Sequence, residues 1–158
     1  MITILNHRKR KVAKKILTLQ KEAYQVEATY LGVSDIPPLR DTTRAIMYSN
    51  EEFIGFWDGK SLIGSIAYEV SKGALILSRV MVSPSHFRKG IATALLQYLF
   101  SSKGEDSVYI VTTGAQNYPA IELYKKFGFT ECQSYATREG IQLLKLIRTV
   151  NEDAFPKA

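Results

Sequence analysis

Residues 80–92 read Val80-Met81-Val82-Ser83-Pro84-Ser85-His86-Phe87-Arg88-Lys89-Gly90-Ile91-Ala92. An apolar strand ends, a loop bearing proline and glycine follows, and the next apolar residues open a helix. Such a junction can hold an anion. The first backbone N–H groups of a helix have no intrahelical partner and sit at the positive end of its dipole. Gly90 allows close backbone approach, Ala92 keeps the second approach point small, and Arg88 and Lys89 add charge. A glycine before a helix is more often only a turn, so the reading depends on what flanks it.

Upstream, Phe53 to Val82 is rich in β-formers and is broken by two turn signals, Asp58-Gly59 and Lys72-Gly73. This predicts three antiparallel strands. Downstream, Ile91, Leu95, Leu96 and Leu99 share one helical face, a short strand covers 108–112, and Ile121, Tyr124 and Phe127 mark another helix. Residues 129–150 read as a hairpin turning at Glu139-Gly140. A strand, a helix and a strand in succession predict that the strands at 74–83 and 108–112 are parallel neighbours joined by a right-handed crossover. At the other end, a short apolar start (Ile2, Ile4, Leu5) precedes a stripe of Val12, Ile16, Leu19, Ala23 and Val26, which predicts an amphipathic helix over about His7–Val26. Residues 32–40, with Pro37-Pro38, read as loop, and a short helix over about 41–48 takes Asp41 or Thr42 as its N-cap. The expectation is one domain over residues 1–150, with 151–158 a loose tail.

With 158 residues and 46% apolar composition, the chain can fill one two-layer core. It has no run of apolar residues long enough to span a membrane, and the expected location is the cytoplasm. Its single cysteine, Cys132, excludes an internal disulfide, and with two histidines it makes no convincing zinc set, so no metal is expected. Arg8, Lys9, Arg10, Lys11, Lys14 and Lys15 account for the net charge of +6; the other 15 basic residues balance 15 acidic ones. That run is either the solvated face of the first helix or a contact for nucleic acid. No base-reading or aromatic stacking module accompanies it, so nucleic acid is not the expected partner.

The second informative stretch begins 27 positions after Gly90: Asn117-Tyr118-Pro119-Ala120-Ile121-Glu122-Leu123-Tyr124-Lys125-Lys126-Phe127-Gly128-Phe129. Read by periodicity alone, Ala120, Leu123, Tyr124 and Phe127 are a helix core stripe and Gly128 its C-cap. The run also resembles the N-x-x-A-x-x-L-Y-x-x-x-G-F pattern of the GNAT superfamily of N-acetyltransferases. Residues 87–92 resemble that family's acetyl-CoA loop, in the same order and at the same spacing. The resemblance covers about Phe53–Phe129. It departs at the loop's first position, where Phe87 stands in place of the usual glutamine or arginine and Arg88 follows one place later.

The resemblance implies an α/β fold of the α+β type: a mixed sheet of about seven strands with a splayed parallel pair, flanked by about four helices. It implies acetyl-CoA as cosubstrate and direct transfer to an amine, small-molecule or peptide, in a ternary complex. Met81, Val82, Arg88, Lys89, Gly90, Ile91, Ala92, Thr93, Asn117 and Tyr124 are the implied cofactor residues. Tyr124 is the implied acid for the departing thiolate, a role suited to a phenol with a reference pKa of about 10. A backbone N–H near Val80–Val82 is the implied oxyanion donor. The acceptor site is implied in about 24–48 and 134–140, where Tyr24, Glu27, Tyr30, Asp35 and Asp41 could hold an amine cation. The strand segment Ile76–Val80 lacks the glutamate that often serves as base in this family; Glu27, Glu69 or ordered water are the alternatives. A rival reading, a GNAT-like domain that binds acyl-CoA or a partner without turnover, is favoured by Phe87 and the missing base, and opposed by Asn117 with Tyr124. The exposed final hairpin could support a homodimer.

Overall fold

The computed structural model describes residues 1–149; the tail expected at 151–158 lies outside them. Seven strands form one sheet: β1 (Ile2–Leu5), β2 (Glu52–Asp58), β3 (Ser61–Ser71), β4 (Ala74–Val82), β5 (Val108–Gly114), β6 (Thr130–Ala136) and β7 (Gln142–Arg148). Four α-helices accompany them: α1 (Arg10–Leu31), α2 (Thr43–Met47), α3 (Ile91–Lys103) and α4 (Tyr118–Lys126). The strand order is β1-β2-β3-β4-β5-β7-β6, and β4 with β5 is the parallel pair. The fold is therefore the mixed α/β arrangement expected from the resemblance.

The β2–β3 and β3–β4 hairpins turn at the two glycines expected, with Gly59 at φ 58° and with Lys72 and Gly73 at φ 51° and 80°. Successive side chains on a strand alternate faces, and the sheet accordingly carries two cores. Leu95, Leu96 and Leu99 of α3 pack with Tyr124 of α4 over Ile54, Ile66 and Leu77, whereas Ala13, Ile16 and Leu19 of α1 pack over Phe53, Ala67 and Met81 on the other face.

Two features of β4 open the sheet. Its pairing with β5 runs only from Ala74↔Val108 to Leu77↔Val111, although both strands continue. The register against β3 also slips, since Ala67 faces Arg79 and Tyr68 faces Leu77, so Ser78 is the extra residue of a bulge. Beyond the bulge the alternation is inverted. Leu75 and Leu77 face α3, but Arg79 and Met81 face α1, and Val80 and Val82 pack toward α3 and α4.

The sequence expectations need four adjustments. The first helix runs five residues beyond Val26 and begins at Arg10, not His7; it stops at Gly32, which adopts φ 69° and closes the helix with bonds back to Ala28 and Thr29. The loop at 32–40 contains a 3₁₀ turn at Pro37–Arg40, which proline at its first position favours. The apolar start is an edge strand paired with β2. The strand at 108 continues to Gly114, where a Cβ would collide with the Leu31 side chain as it lies. That close approach seats the end of α1 against β5. Of the basic run, Arg8 donates to Met47 O and Lys15 to Lys60 O, while Arg10, Lys11 and Lys14 are exposed. No helix among the described residues is long and apolar enough to cross a membrane.

Candidate active site

Where β4 and β5 part, two cavities open that share part of their walls. The larger, about 660 Å³, lies against the start of α3 and one side of α4. The smaller, about 270 Å³, lies between the end of α1, the prolines at 37–38 and the β6–β7 hairpin. Six residues line both: Tyr24, Glu27, Val80, Asn117, Ala120 and Tyr124. They mark the junction through which a group bound in one cavity can reach the other.

The larger cavity is bordered by Val82, Arg88, Gly90, Ile91, Ala92 and Thr93, all singled out from the sequence. Gly90 is the N-cap of the 13-residue α3 at φ 74°, and Arg88 also takes a left-handed conformation at φ 63°. A backbone held in that region by a non-glycine residue is strained, and such strain concentrates at ligand sites. Apart from its chain neighbours, nothing lies within 4 Å of a Cβ built on Gly90, so its backbone faces open space. These features fit a pyrophosphate: unpaired helix N–H groups, an accessible glycine backbone and a neighbouring guanidinium. Phe87 also lines this cavity, 41% exposed. Lys89 is exposed but does not line it, and the Met81 side chain is buried in the α1 core, which leaves Met81 only its backbone to offer.

Asn117 caps α4, its Oδ1 accepting from Ala120 N–H at 3.4 Å, so its side-chain amide can still donate. Tyr124 is buried among α3 and α4 side chains, its ring 5.5 Å from that of Phe129. Burial, with added repulsion from Tyr24 and Glu27, pushes its phenol far above the ordinary tyrosine range, so it keeps its proton at any physiological pH. Tyr24 is raised in the same way by burial and by Glu27, against the opposing influence of Arg79 and of the Val80 backbone. Glu27 Oε1 accepts from Thr113 Oγ1 at 3.3 Å and from Gly114 N–H at 3.4 Å, which brings its carboxylate to the end of β5.

Other candidates fall elsewhere. Tyr30 lines the larger cavity, not the smaller, and is 43% exposed. Asp35 pairs with Arg40 and Asp41 with Arg79, so neither is free for an amine. Glu69 is exposed beyond the bulge, opposite Ile76, and lines neither cavity. Among the described residues there is no cluster of three or more potential metal ligands.

Sequence reading missed an ion network under the smaller cavity. Arg79 donates to both oxygens of Glu51 at 3.0 and 2.8 Å, to Asp41 Oδ2 at 3.0 Å and to Gln20 Oε1 at 2.6 Å. Ser78 and Ser49 also donate to Glu51, and Gln20 donates to Pro38 O and Asp41. The available signal was a Ser78-Arg79 pair inside an otherwise apolar strand, since a buried guanidinium requires buried acceptors.

An acetyltransferase (GNAT) domain model matches residues 46–131. The chain is 35% identical over 143 residues to the UPF0157 protein YqkA of Bacillus subtilis, covering 90% of this chain but only 42% of YqkA. The ribosomal-protein-S18-alanine N-acetyltransferase of Escherichia coli superposes with a TM-score of 0.73 at 15% identity, over 99% of both chains. YncA of Salmonella typhimurium, a putative acetyltransferase solved with acetyl-CoA, superposes with a TM-score of 0.68 at 17% identity, over 100% of this chain and 98% of its own. The match of the family model to more than half of the chain, together with the splayed β4–β5 pair, shows that the chain belongs to the GNAT acetyltransferase family.

Proposed function

We propose that this protein is an N-acetyltransferase that moves the acetyl group of acetyl-CoA to a primary amine by direct attack in a ternary complex. The observation that carries this reading is the junction. Two cavities beside the parted strands share a wall that holds two tyrosines, a carboxylate and Val80 of β4. When bound, acetyl-CoA supplies a thioester whose carbonyl carbon is the electrophile. The N-terminus of α3, Gly90 and Arg88 hold the pyrophosphate end, Met81 and Val82 offer backbone to the pantetheine amides, and Asn117 donates from its amide. Val80, which lines both cavities, offers its backbone N–H as the donor to the carbonyl oxygen as negative charge develops on it. As the C–N bond forms and the C–S bond breaks, Tyr124 gives its proton to the thiolate, while the amine's surplus proton leaves through Glu27 or a water beside it. The phenol is restored from solvent.

Calorimetric titration with acetyl-CoA, coenzyme A and DNA at two salt concentrations, followed by thiol release over a panel of amines, tests the reading. The expected result is acetyl-CoA binding and thiol release on one amine class. Tight binding without release on any amine would instead support the acyl-CoA-binding reading, and salt-steep DNA binding would make the exposed lysines and arginine of α1 a nucleic-acid contact.

Gly90→Ala is expected to weaken acetyl-CoA binding about tenfold, because a Cβ at φ 74° costs about 1 kcal/mol and moves the backbone that faces the phosphates. Isothermal titration reads the loss directly. Unchanged affinity would remove the loop from the cofactor site.

A further inference from the structure

Resting on the acetyl-transfer reading, we infer that the acceptor is a small amine with an apolar body and no carboxylate beside the reacting nitrogen. The smaller cavity, about 270 Å³, is walled by Leu31, Ile36, Leu77, Val111 and Leu143, so the acceptor's body is aliphatic or aromatic. A volume at the low end of small-molecule sites suits a monoamine better than a peptide.

Its charges decide the rest. Among the described residues, the charged side chains lining it are Glu27, Glu139 and Arg79. Arg79 is the only cation, and it is unavailable to a ligand. Its guanidinium already donates to Glu51, Asp41 and Gln20, its side chain is 15% exposed, and the two carboxylates leave the cluster with a net negative charge. Arg40, which approaches Glu139 at 4.0 Å, is bound more closely to Asp35 at 3.4 Å. An ammonium therefore meets Glu27 at the junction and Glu139 at the far wall, with the Tyr24 and Tyr124 side chains lining the same cavity. The α-carboxylate of an amino acid, one carbon from that nitrogen, would be brought beside Glu27 and into the field of Glu139 with no free cation to answer it. Like charges brought together at a partly desolvated site are a strong basis for rejection.

The test compares acceptors that differ in one group. Thiol release is measured with phenethylamine, phenylalanine and phenylalaninamide, with 3-methylbutylamine and leucine as an aliphatic pair, and with a short peptide bearing N-terminal phenylalanine. The expected kcat/KM for each amine exceeds that of its amino acid by about 50-fold, as repulsion of this kind predicts, and the neutral amide stays within about fivefold of the amine. Glu139→Lys, a change in an exposed hairpin turn, is expected to narrow the amine-to-acid gap about tenfold by placing a free cation on the far wall. Equal use of amine and amino acid, an amide as poor as the acid, or preference for the peptide would each overturn the inference while leaving acetyl transfer intact. Acetyl-CoA binding with no release on any apolar amine would also overturn it, and absence of acetyl-CoA binding would bring down the transfer reading itself.

Discussion

Tyr124→Phe is expected to lower kcat about a thousandfold, within the range that removal of a positioned proton donor produces, while the Kd for acetyl-CoA changes by less than about threefold. The substitution isolates chemistry from packing. The ring is buried in the α3–α4 core and its contacts with Phe129 survive in phenylalanine. Among the described residues nothing donates to or accepts from the hydroxyl, so its removal leaves no protein group unpaired. The folded state should therefore melt within a few degrees of wild type. A thiolate leaving without a proton is the only step the variant makes harder.

The pH dependence separates this role from others. Burial and the neighbouring Tyr24 and Glu27 hold the phenol well above its ordinary range, so wild-type kcat should show no fall from Tyr124 ionisation up to about pH 10, the reference value for tyrosine. An alkaline loss of kcat below that value which vanishes in the phenylalanine variant would contradict an elevated phenol. Wild-type turnover in the variant would make Tyr124 a core residue alone.

The elements around the proposed cofactor cavity were legible in sequence because their signals are local. A helix N-terminus with glycine at its cap and small residues after it occupies a handful of consecutive positions, and the second motif is a single capped helix. The hairpins were legible for the same reason, since each turns on a glycine at positive φ. What the sequence did not disclose depends on the bulge at Ser78. Strict alternation puts Leu75, Leu77, Arg79 and Met81 on one face, and the one inserted residue moves Arg79 and Met81 to the face of α1. Glu51, Gln20 and Asp41 then become its partners, from three segments separated from it by 28 to 59 positions. No local pattern encodes that meeting. The end of α1 is a similar case: Glu27 reaches the junction because the helix outlasts its apolar stripe and because Gly114 lets Leu31 settle onto β5.

Arg79→Met is expected to destabilise the protein by about 3–5 kcal/mol, the loss that follows when one partner of a buried ion pair is removed and the other remains charged. Glu51 is the group left behind, 7% exposed. Burial by itself would raise its carboxyl, but hydrogen bonds from Arg79, Ser78 and Ser49 outweigh burial and hold it below the usual range. A carboxylate depressed in the folded state contributes stability above its unfolded pKa, about 4.3 for glutamate, and that contribution is lost as pH falls toward the folded value. Wild type should accordingly lose stability between about pH 5 and pH 3, whereas Arg79→Met, with only Ser78 and Ser49 left to oppose burial, gains relative to it as Glu51 protonates. The two urea-melting curves should converge on acidification. Adding Glu51→Gln to the arginine variant supplies the decisive comparison, because a neutral amide can still accept from Ser78 without a stranded charge. Recovery of about 1–2 kcal/mol in the double variant at pH 7 is expected from that non-additivity. Strictly additive losses would mean that Arg79 acts through its contact with the Phe53 ring and its bond to Gln20 and not through the pair, and that the network holds α1 against β4 by packing.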